Sequence, residues 1–336
     1  MTKILVVFTG GTIGSGINKK GNIDIDKKAK SLLTDMYFSK WGRMVDFDTA
    51  EPYYELSENI DAAHWNTLIN FFNTVDCSVY DGIILAHGSD TLSYTAAMLS
   101  FAMRHIPIPL VLIASNYPLT DERSNGLKNF EAAVTLIKKS YYRKGVYVCY
   151  SNDETAAEVF IGSRLIEADH IFDTFRSVDN SYLCKIVDDE IIPNECSLNP
   201  SKEAINKEKA RLKIGRLKNN VLLLRSYPGE NFDNISLNGI SAVLAVGYHS
   251  ATVCASESAE LSFWNFAKRC KDKGIDIYIS SFKSQTSYLY ESAKGDFVRL
   301  CNISPEAAYA KVMLAYSTDN PSDIINSEIY FEEVKF

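Results

Sequence analysis

The sequence predicts an α/β fold in two domains, and three observations carry that prediction. The chain has 336 residues, which is about twice the size of a domain of roughly 100–200 residues. Short apolar runs, beginning with residues 4–8, alternate with longer segments of helical period. The runs are continuous rather than alternating, which is typical of parallel strands covered on both faces. We therefore expect a larger N-terminal domain with a mostly parallel sheet flanked by helices, followed by a smaller α/β C-terminal domain.

The N-terminal half carries the clearest strand pattern. The strands predicted in its first part are residues 4–8, 82–86, 110–114 and 146–150. Shorter apolar runs at 159–161 and 191–193 indicate a hairpin region, and the charged stretch from Lys202 to Lys218 indicates a linker. The predicted catalytic domain is therefore residues 1–200, and the linker is residues 201–219.

The predicted C-terminal domain covers residues 220–336. Its expected strands are residues 221–224, 242–246 and 275–279, and its first helix is residues 259–273. Gly274 would end that helix. A last helix begins at Ser304-Pro305-Glu306, with proline at its first position, and runs to about residue 316.

Composition excludes several classes of function. There are 35 Lys and Arg residues against 42 Asp and Glu, for a net charge of -7, so nucleic acid is not expected as a partner. No apolar stretch reaches the roughly 20 residues of a membrane helix. The apolar run at residues 4–8 is shorter than the core of a secretory signal, so we expect a cytoplasmic protein.

The seven cysteines are scattered singly and form no CxxC pair. No histidine stands at a spacing that would complete a zinc site. We therefore expect reduced thiols and no metal site.

The first candidate loop is TGGTIGSG at residues 9–16, directly after the first predicted strand. A P-loop requires Lys and Ser/Thr where Ile17 and Asn18 stand, and no glycine triplet fits the dinucleotide fingerprint. The loop does present the hydroxyls of Thr9 and Thr12 among backbone N–H groups, which suits acyl transfer. A tight turn with capping threonines remains an alternative.

The second candidate loop is HGSDT at residues 87–91, between a predicted buried strand and a helix. It places the Ser89 hydroxyl and the Asp90 carboxylate at a helix N-terminus, where either could serve only as the N-cap. In open α/β sheets, ligands bind beyond the carboxyl ends of the strands, which is where both loops lie.

Together the two loops carry a resemblance to the bacterial-type L-asparaginase (asparaginase/glutaminase) family. The further matching segments are residues 57–59, 93–101, 114–119, 175–179 and 227–229 and the final helix. The resemblance covers nearly the whole chain and is greatest to the cytoplasmic, type I branch. It implies a cofactor-free amidohydrolase that breaks down asparagine, or a related amide, to the acid and ammonia.

The resemblance also implies residue roles. Thr12 matches the threonine nucleophile that forms the acyl-enzyme, and Ser89 and Asp90 match the second hydroxyl and the carboxylate that holds the α-ammonium group of the substrate. Ser57 and Glu58 match the segment that grips the α-carboxylate and α-amino ends. Ser115 falls on a loop that faces the amide.

Two departures concern proton transfer. Asn22 stands where the family has a tyrosine beside the nucleophile, and an amide is neither an acid nor a base at neutral pH. Ile166 stands where the family has a lysine, and the nearest cation is Arg164, which stays protonated. The alternative function is therefore a catalytically weakened family member that binds an amino acid or acts on a different amide.

The resemblance further implies a homodimer or a homotetramer, with sites completed by a loop from a neighbouring subunit. Residues 285–292 are the candidate for that loop. The preference between asparagine and glutamine stays open, as does the presence of an effector.

Overall fold

The computed structural model describes residues 1–11, 13, 15–17, 23–25, 29–254, 261–282 and 297–335. The chain folds into two compact units, residues 1–213 and 214–336. Within the described residues no helix combines the length and the apolar character that a membrane span requires.

The N-terminal unit contains a large sheet and a small hairpin. The strands of this unit are β1 (Thr2–Phe8), β2 (Ser15–Ile17), β3 (Ile23–Ile25), β4 (Val45–Ala50), β5 (Gly82–Ala86), β6 (Pro109–Ile113), β7 (Gly145–Tyr150), β8 (Ala157–Ile161), β9 (Cys184–Val187) and β10 (Glu190–Pro193). The large sheet has the order β10-β9-β8-β7-β6-β5-β1-β4. Strands β4, β1, β5, β6 and β7 run parallel, whereas β8, β9 and β10 extend the sheet in antiparallel fashion.

Helices cover the sheet. The helices of this unit are α1 (Ala29–Trp41), α2 (Ala62–Thr74), α3 (Leu92–Ala102), α4 (Gly126–Lys138) and α5 (Lys202–Asn206). Helix α1 packs beside α4 and α2 packs beside α3, and both α3 and α4 contact the central strands β6 and β7. The predicted α/β class, with a mostly parallel sheet flanked by helices, is confirmed.

Burial explains why the central strands can be recognised from the sequence. Every residue of β5, β6 and β7 is buried, as the continuous apolar runs predict. The sequence does not predict strand β4, because this strand lies at the edge of the sheet and alternates apolar with polar residues. Its Asp48 carboxylate pairs with Lys3 at 2.9 Å, which keeps this edge charged.

The C-terminal unit has a second parallel sheet of order β11-β12-β13-β14. The elements of this unit are β11 (Val221–Arg225), β12 (Ala242–Val246), α6 (Phe263–Asp272), β13 (Asp276–Phe282), β14 (Val298–Cys301), α7 (Pro305–Ala315) and α8 (Pro321–Ile325). Gly274 follows α6 with φ of +66°, and the Ser304 hydroxyl caps α7, as expected from the sequence. Strand β14 is an addition that the sequence does not predict.

Candidate active site

Three loops meet at the carboxyl ends of β1 and β5, which are adjacent parallel strands. They are the β1 loop (residues 9–11), the β4 loop (residues 55–59) and the β5 loop (residues 87–91). Thr9 donates to the Ala86 carbonyl through both its N–H and its hydroxyl, each at 3.1 Å. The Glu55 backbone N–H donates to the Thr9 carbonyl at 2.9 Å, and the Glu55 backbone carbonyl accepts from the Gly11 N–H at 3.2 Å. The backbone therefore joins the β1 loop to both of its neighbours.

Glycines allow the three loops to touch. Gly11 has φ of +73°, and a Cβ there would lie 2.3 Å from the Gly88 Cα atom. A Cβ on Gly88 would lie 2.4 Å from the Ser57 Oγ atom. Real Cβ atoms do not approach other atoms this closely, so a side chain at either position would force a neighbouring loop to shift. The glycines of the two sequence motifs thus have a shared packing role, which is to bring the loops together.

The structure brings together four of the residues predicted for the site. The Ser57 hydroxyl donates to Asp90 Oδ2 at 3.4 Å, and the Thr91 hydroxyl donates to the Ser57 carbonyl at 2.9 Å. Ser57 is buried and Ser89 is half-buried, whereas Glu58 and Asp90 are exposed. The described residues offer the side chains of Ser89 and Glu58 no hydrogen-bond partner.

The capping interpretation of Ser89 and Asp90 is wrong. Thr91 is the N-cap of α3, and its side chain donates to Ser57 instead of accepting a bond from the helix. Ser89 contributes only its carbonyl, which accepts from the Leu92 N–H at 3.3 Å. The Ser89 hydroxyl and the Asp90 carboxylate are therefore available to a ligand.

His87 is the buried residue that starts the β5 loop. Its Nδ1 atom lies 2.8 Å from the Gly88 carbonyl, which fits an Nδ1–H donor, and its backbone N–H donates to the Ile113 carbonyl at 2.9 Å. Complete burial lowers the pKa of the ring to about 4, so the imidazole is neutral at pH 7. The Nε2 atom has no hydrogen-bond partner among the described residues. His87 therefore holds the turn rather than supplying a charge.

Tyr53 is a neighbour of the β1 loop that the sequence does not reveal. Burial raises the pKa of its phenol well above the usual value, while the adjacent Thr9 side chain has a smaller, opposing effect. The hydroxyl is buried and makes no hydrogen bond of ordinary geometry with a described residue. Its ring meets the His64 ring edge-on with centroids 5.0 Å apart. No motif or periodicity in the sequence marks Tyr53, because only the close approach of the β1 and β4 loops brings it to Thr9.

Ser115 is fully buried beyond the end of β6. Its hydroxyl donates to the Tyr117 carbonyl at 2.5 Å and shares a hydrogen bond of 2.8 Å with the Ser124 hydroxyl. Asn116 and Asn125 close the same turn through a reciprocal pair of backbone-to-side-chain bonds, each of 3.0 Å. The hydroxyl is therefore occupied within its own turn, and contact with the substrate stays a prediction.

Arg164 forms a buried ion pair with Asp179 at 3.0 Å. The same nitrogen donates to the Leu198 carbonyl at 2.8 Å, and the two side chains are only 5% and 1% exposed. Asp179 also accepts hydrogen bonds from the Ser177 hydroxyl and the Ser181 N–H. Both charges are thus satisfied by residues outside the three loops.

Several sequence predictions concern residues outside the described part of the chain. They include the predicted nucleophile Thr12, Asn22 and residues 285–292. In the described residues, no group of three or more His, Cys, Asp or Glu side chains is arranged to hold a metal ion. All seven cysteines are free thiols.

The described arrangement suits a small zwitterion. Asp90 supplies an exposed negative charge that fits an ammonium group, and Ser57 and Ser89 supply hydroxyls that donate to or accept from a carboxylate or an amide. Each of these residues lies beyond the carboxyl end of a strand, where α/β sheets bind ligands.

Comparisons with known proteins bear on the family and the fold of the chain. A sequence model of the family described as Asparaginase, N-terminal matches residues 3–197, which is more than half of the chain. The chain is 30% identical to an L-asparaginase from Thermococcus kodakarensis over 195 residues, which is 56% of this chain and 55% of that protein. The sequence match thus spans about half the length of this relative.

A second relative matches over more of the chain. This protein, a component of the glutamyl-tRNA(Gln) amidotransferase from Methanosphaera stadtmanae, is 26% identical over 345 aligned residues, covering 95% of this chain and 73% of the relative. Among solved structures, the thermostable L-asparaginase from Thermococcus kodakarensis superposes with a TM-score of 0.79 at 21% identity, covering 100% of both chains. At that identity the superposition establishes a shared fold.

Proposed function

The chain belongs to the asparaginase family, and from that premise we propose that it is an amidohydrolase that converts asparagine, or a related side-chain amide such as glutamine, to the acid and ammonia. One observation carries the proposal. The Ser57 hydroxyl and the Asp90 carboxylate, on separate loops, lie 3.4 Å apart at the carboxyl edge of the sheet, and Glu58 and Ser89 are their immediate neighbours in sequence. The substrate is a zwitterion, and this cluster offers both an anion and neutral donors for its two charged ends.

The proposed reaction runs through an acyl-enzyme on Thr12. The Thr12 hydroxyl oxygen bonds to the side-chain amide carbon, the carbon–nitrogen bond breaks, and the nitrogen leaves as ammonia after accepting a proton. Water then attacks the ester carbon and returns the hydroxyl to Thr12. Asp90 holds the α-ammonium group throughout, and the segment of Ser57 and Glu58 contacts the α-carboxylate and α-amino ends of the substrate.

Proton transfer is the step on which this chain departs from its family. Asn22 cannot accept the proton of Thr12, and Arg164 is engaged by Asp179 and the Leu198 carbonyl. This supports a second candidate, a weakened family member that binds an amino acid or acts on a different amide. A third candidate, release of ammonia from glutamine for a partner enzyme, draws on the amidotransferase component, whose alignment covers 95% of this chain.

Ammonia release distinguishes these candidates. The purified chain is assayed with L-asparagine, L-glutamine and their D-forms, beside Thr12→Ala and Thr12→Ser. We expect release from at least one amide by the wild type, retention of part of that activity by Thr12→Ser, and its loss in Thr12→Ala. Equal rates for the wild type and Thr12→Ala on every amide would exclude the hydrolase proposal. Calorimetric titration of the inactive protein with asparagine would then test the binding function.

Assembly and location belong to the same proposal. We propose a cytoplasmic homodimer or homotetramer, on the resemblance to the type I branch. Light scattering at the concentration of the activity assay measures the assembly directly, and a monomer that is fully active would contradict it.

A further inference from the structure

A cavity of about 500 Å³ opens in the N-terminal unit between helices α1 and α4 and the turn that joins β9 to β10. Its volume falls in the range of small-molecule sites. Residues of the β1, β4 and β5 loops do not line it, so it is separate from the candidate active site. Its walls include Tyr37, which is almost fully buried, and Trp41, which is 42% exposed.

Most of the charged groups in this cavity are already paired. Lys40 binds Glu131 at 2.8 Å, and the Trp41 Nε1–H donates to the other oxygen of Glu131 at 2.8 Å. Lys138 lies 3.5 Å from Asp189, whose other oxygen accepts from the Thr135 hydroxyl at 2.5 Å. Neither of these carboxylates has an oxygen without a partner.

Lys128 is the exception among the described cations of the cavity. Its ammonium donates to the backbone carbonyl of Asp153 at 3.2 Å, and no described carboxylate lies within ion-pair distance. Partial burial lowers the pKa of this lysine, although the negative charges of Asp153, Glu154 and Glu131 act in the opposite direction from beyond ion-pair distance. An ammonium has three donors, and one weak bond to a carbonyl leaves the others for a ligand.

We propose that this cavity binds a small organic carboxylate with an apolar body, its carboxylate on Lys128 and its body against Tyr37 and Trp41. A single negative charge fits better than a phosphate dianion, because the lining has three lysines against four acidic residues. An aromatic or aliphatic amino acid and the corresponding simple acid share this chemistry. Glu154, an exposed acid in the same lining, would favour the amino acid.

The test is isothermal titration calorimetry on the full chain with phenylacetate, L-phenylalanine, benzylamine and phenyl phosphate. We expect one or both carboxylates to bind, benzylamine not to bind, and phenyl phosphate to bind more weakly. Tighter binding of phenylalanine than of phenylacetate would identify an amino acid as the ligand, and the reverse order would identify a simple acid.

Variants assign the binding to the cavity. Lys128→Gln should weaken carboxylate binding by about tenfold or more, as expected for the loss of a charge-assisted hydrogen bond, whereas Lys128→Arg should retain it. Lys139→Gln is the matched control, since Lys139 follows α4 but pairs with Glu190 outside the cavity. Asp90→Asn should leave the titration unchanged, which separates this site from the proposed active site.

Three outcomes would overturn the proposal. They are the absence of carboxylate binding at millimolar concentration, equal affinity in the wild type and a folded Lys128→Gln, and binding of benzylamine as tight as that of phenylacetate. Because the readout is heat of binding, a chain without amidase activity would leave the result interpretable.

Discussion

The Ser57 hydroxyl lies 3.4 Å from the Asp90 carboxylate, although the two residues are 33 positions apart in sequence. At that length the hydrogen bond is weak, so it orients the carboxylate without neutralising it. Asp90 also lies outside the capping position of α3, which belongs to Thr91. The carboxylate thus keeps its capacity for a charged partner, and this relationship leads to the first prediction.

Asp90→Asn should impair substrate binding. The side-chain amide of the new asparagine has the size of the carboxylate and can still accept a hydrogen bond from Ser57. It lacks the negative charge that pairs with the α-ammonium group of the substrate. The loss of a charge-assisted bond predicts a decrease in kcat/KM of about 10- to 100-fold, expressed mainly in KM. Steady-state ammonia release over a range of asparagine and glutamine concentrations measures both parameters.

Asp46→Asn is the matched control for that experiment. Asp46 is an exposed carboxylate on the edge strand β4, so the same change of charge there should leave kcat/KM unaltered. An unchanged KM in Asp90→Asn would contradict the role given to this carboxylate.

Gly88→Ala should destabilise the contact between the loops. The new methyl group would lie 2.4 Å from Ser57 Oγ and 2.5 Å from Ser57 Cβ, so one of the two loops must shift. Overpacking of this kind costs about 1–3 kcal/mol of unfolding free energy. The double variant Gly88→Ala/Ser57→Gly removes the clashing atoms and should recover stability but not activity. Urea unfolding and ammonia release report the two effects separately.

Gly82→Ala provides the comparison at the opposite end of β5. A Cβ there would lie 2.7 Å from the Ile137 side chain, away from the three loops. We expect lower stability with an unchanged kcat/KM for the folded protein. If Gly88→Ala also kept full kcat/KM, the loops would not need their present spacing for activity.

The central strands and both glycine motifs can be recognised from the sequence because each depends on neighbouring residues. Continuous apolar runs identify buried strands, and Gly11 and Gly88 stand in segments with a distinctive composition. The edge strand β4 resembles a polar segment, because only one of its sides packs on the sheet. Tyr53 and the engagement of Ser115 by Ser124 depend on how distant loops fold together, which no local pattern records.

The ion-pair partner of Arg164 also could not be predicted from local sequence. In the sequence, Arg164 is the nearest cation to the position of the family lysine, and nothing nearby indicates whether it is available. Asp179 lies 15 residues further along the chain and meets Arg164 only because the intervening turn folds back. The ion pair therefore belongs to tertiary structure, and it changes what a substitution at Arg164 is expected to do.

Arg164→Met should reduce stability strongly. It would leave Asp179, which is 1% exposed, as a buried carboxylate without its cation. Breaking a buried pair by removing one partner typically costs about 3–5 kcal/mol. Arg164→Lys should be less severe, and it should not raise ammonia release, because the lysine would still face Asp179.

A double-mutant cycle with Asp179→Asn tests this assignment through chemical unfolding. The two single changes should be strongly non-additive, since the second removes a charge that the first has already left unpaired. Additive losses would mean that the two side chains act independently. A rise in kcat for Arg164→Lys would mean that this position does take part in proton transfer.

His87 should make the protein less stable as the pH falls from about 6.5 to about 4. The folded state keeps the ring neutral down to a pKa of about 4, whereas the unfolded chain takes up a proton near the usual value of roughly 6.5. Between these two pH values the unfolded state binds more protons, so the free energy of unfolding decreases as the pH decreases. Above this interval both states are neutral, and below it both are protonated. The complete loss is roughly 3 kcal/mol, from 1.36 kcal/mol per unit of pKa difference.

His87→Asn can still donate to the Gly88 carbonyl but does not titrate, so its stability should depend less steeply on pH than that of the wild type. Urea unfolding at pH 7.0, 6.0, 5.0 and 4.5 measures the difference, and exposed His170→Gln should follow the wild type. Parallel curves for the wild type and His87→Asn would show that the imidazole is not held neutral by burial.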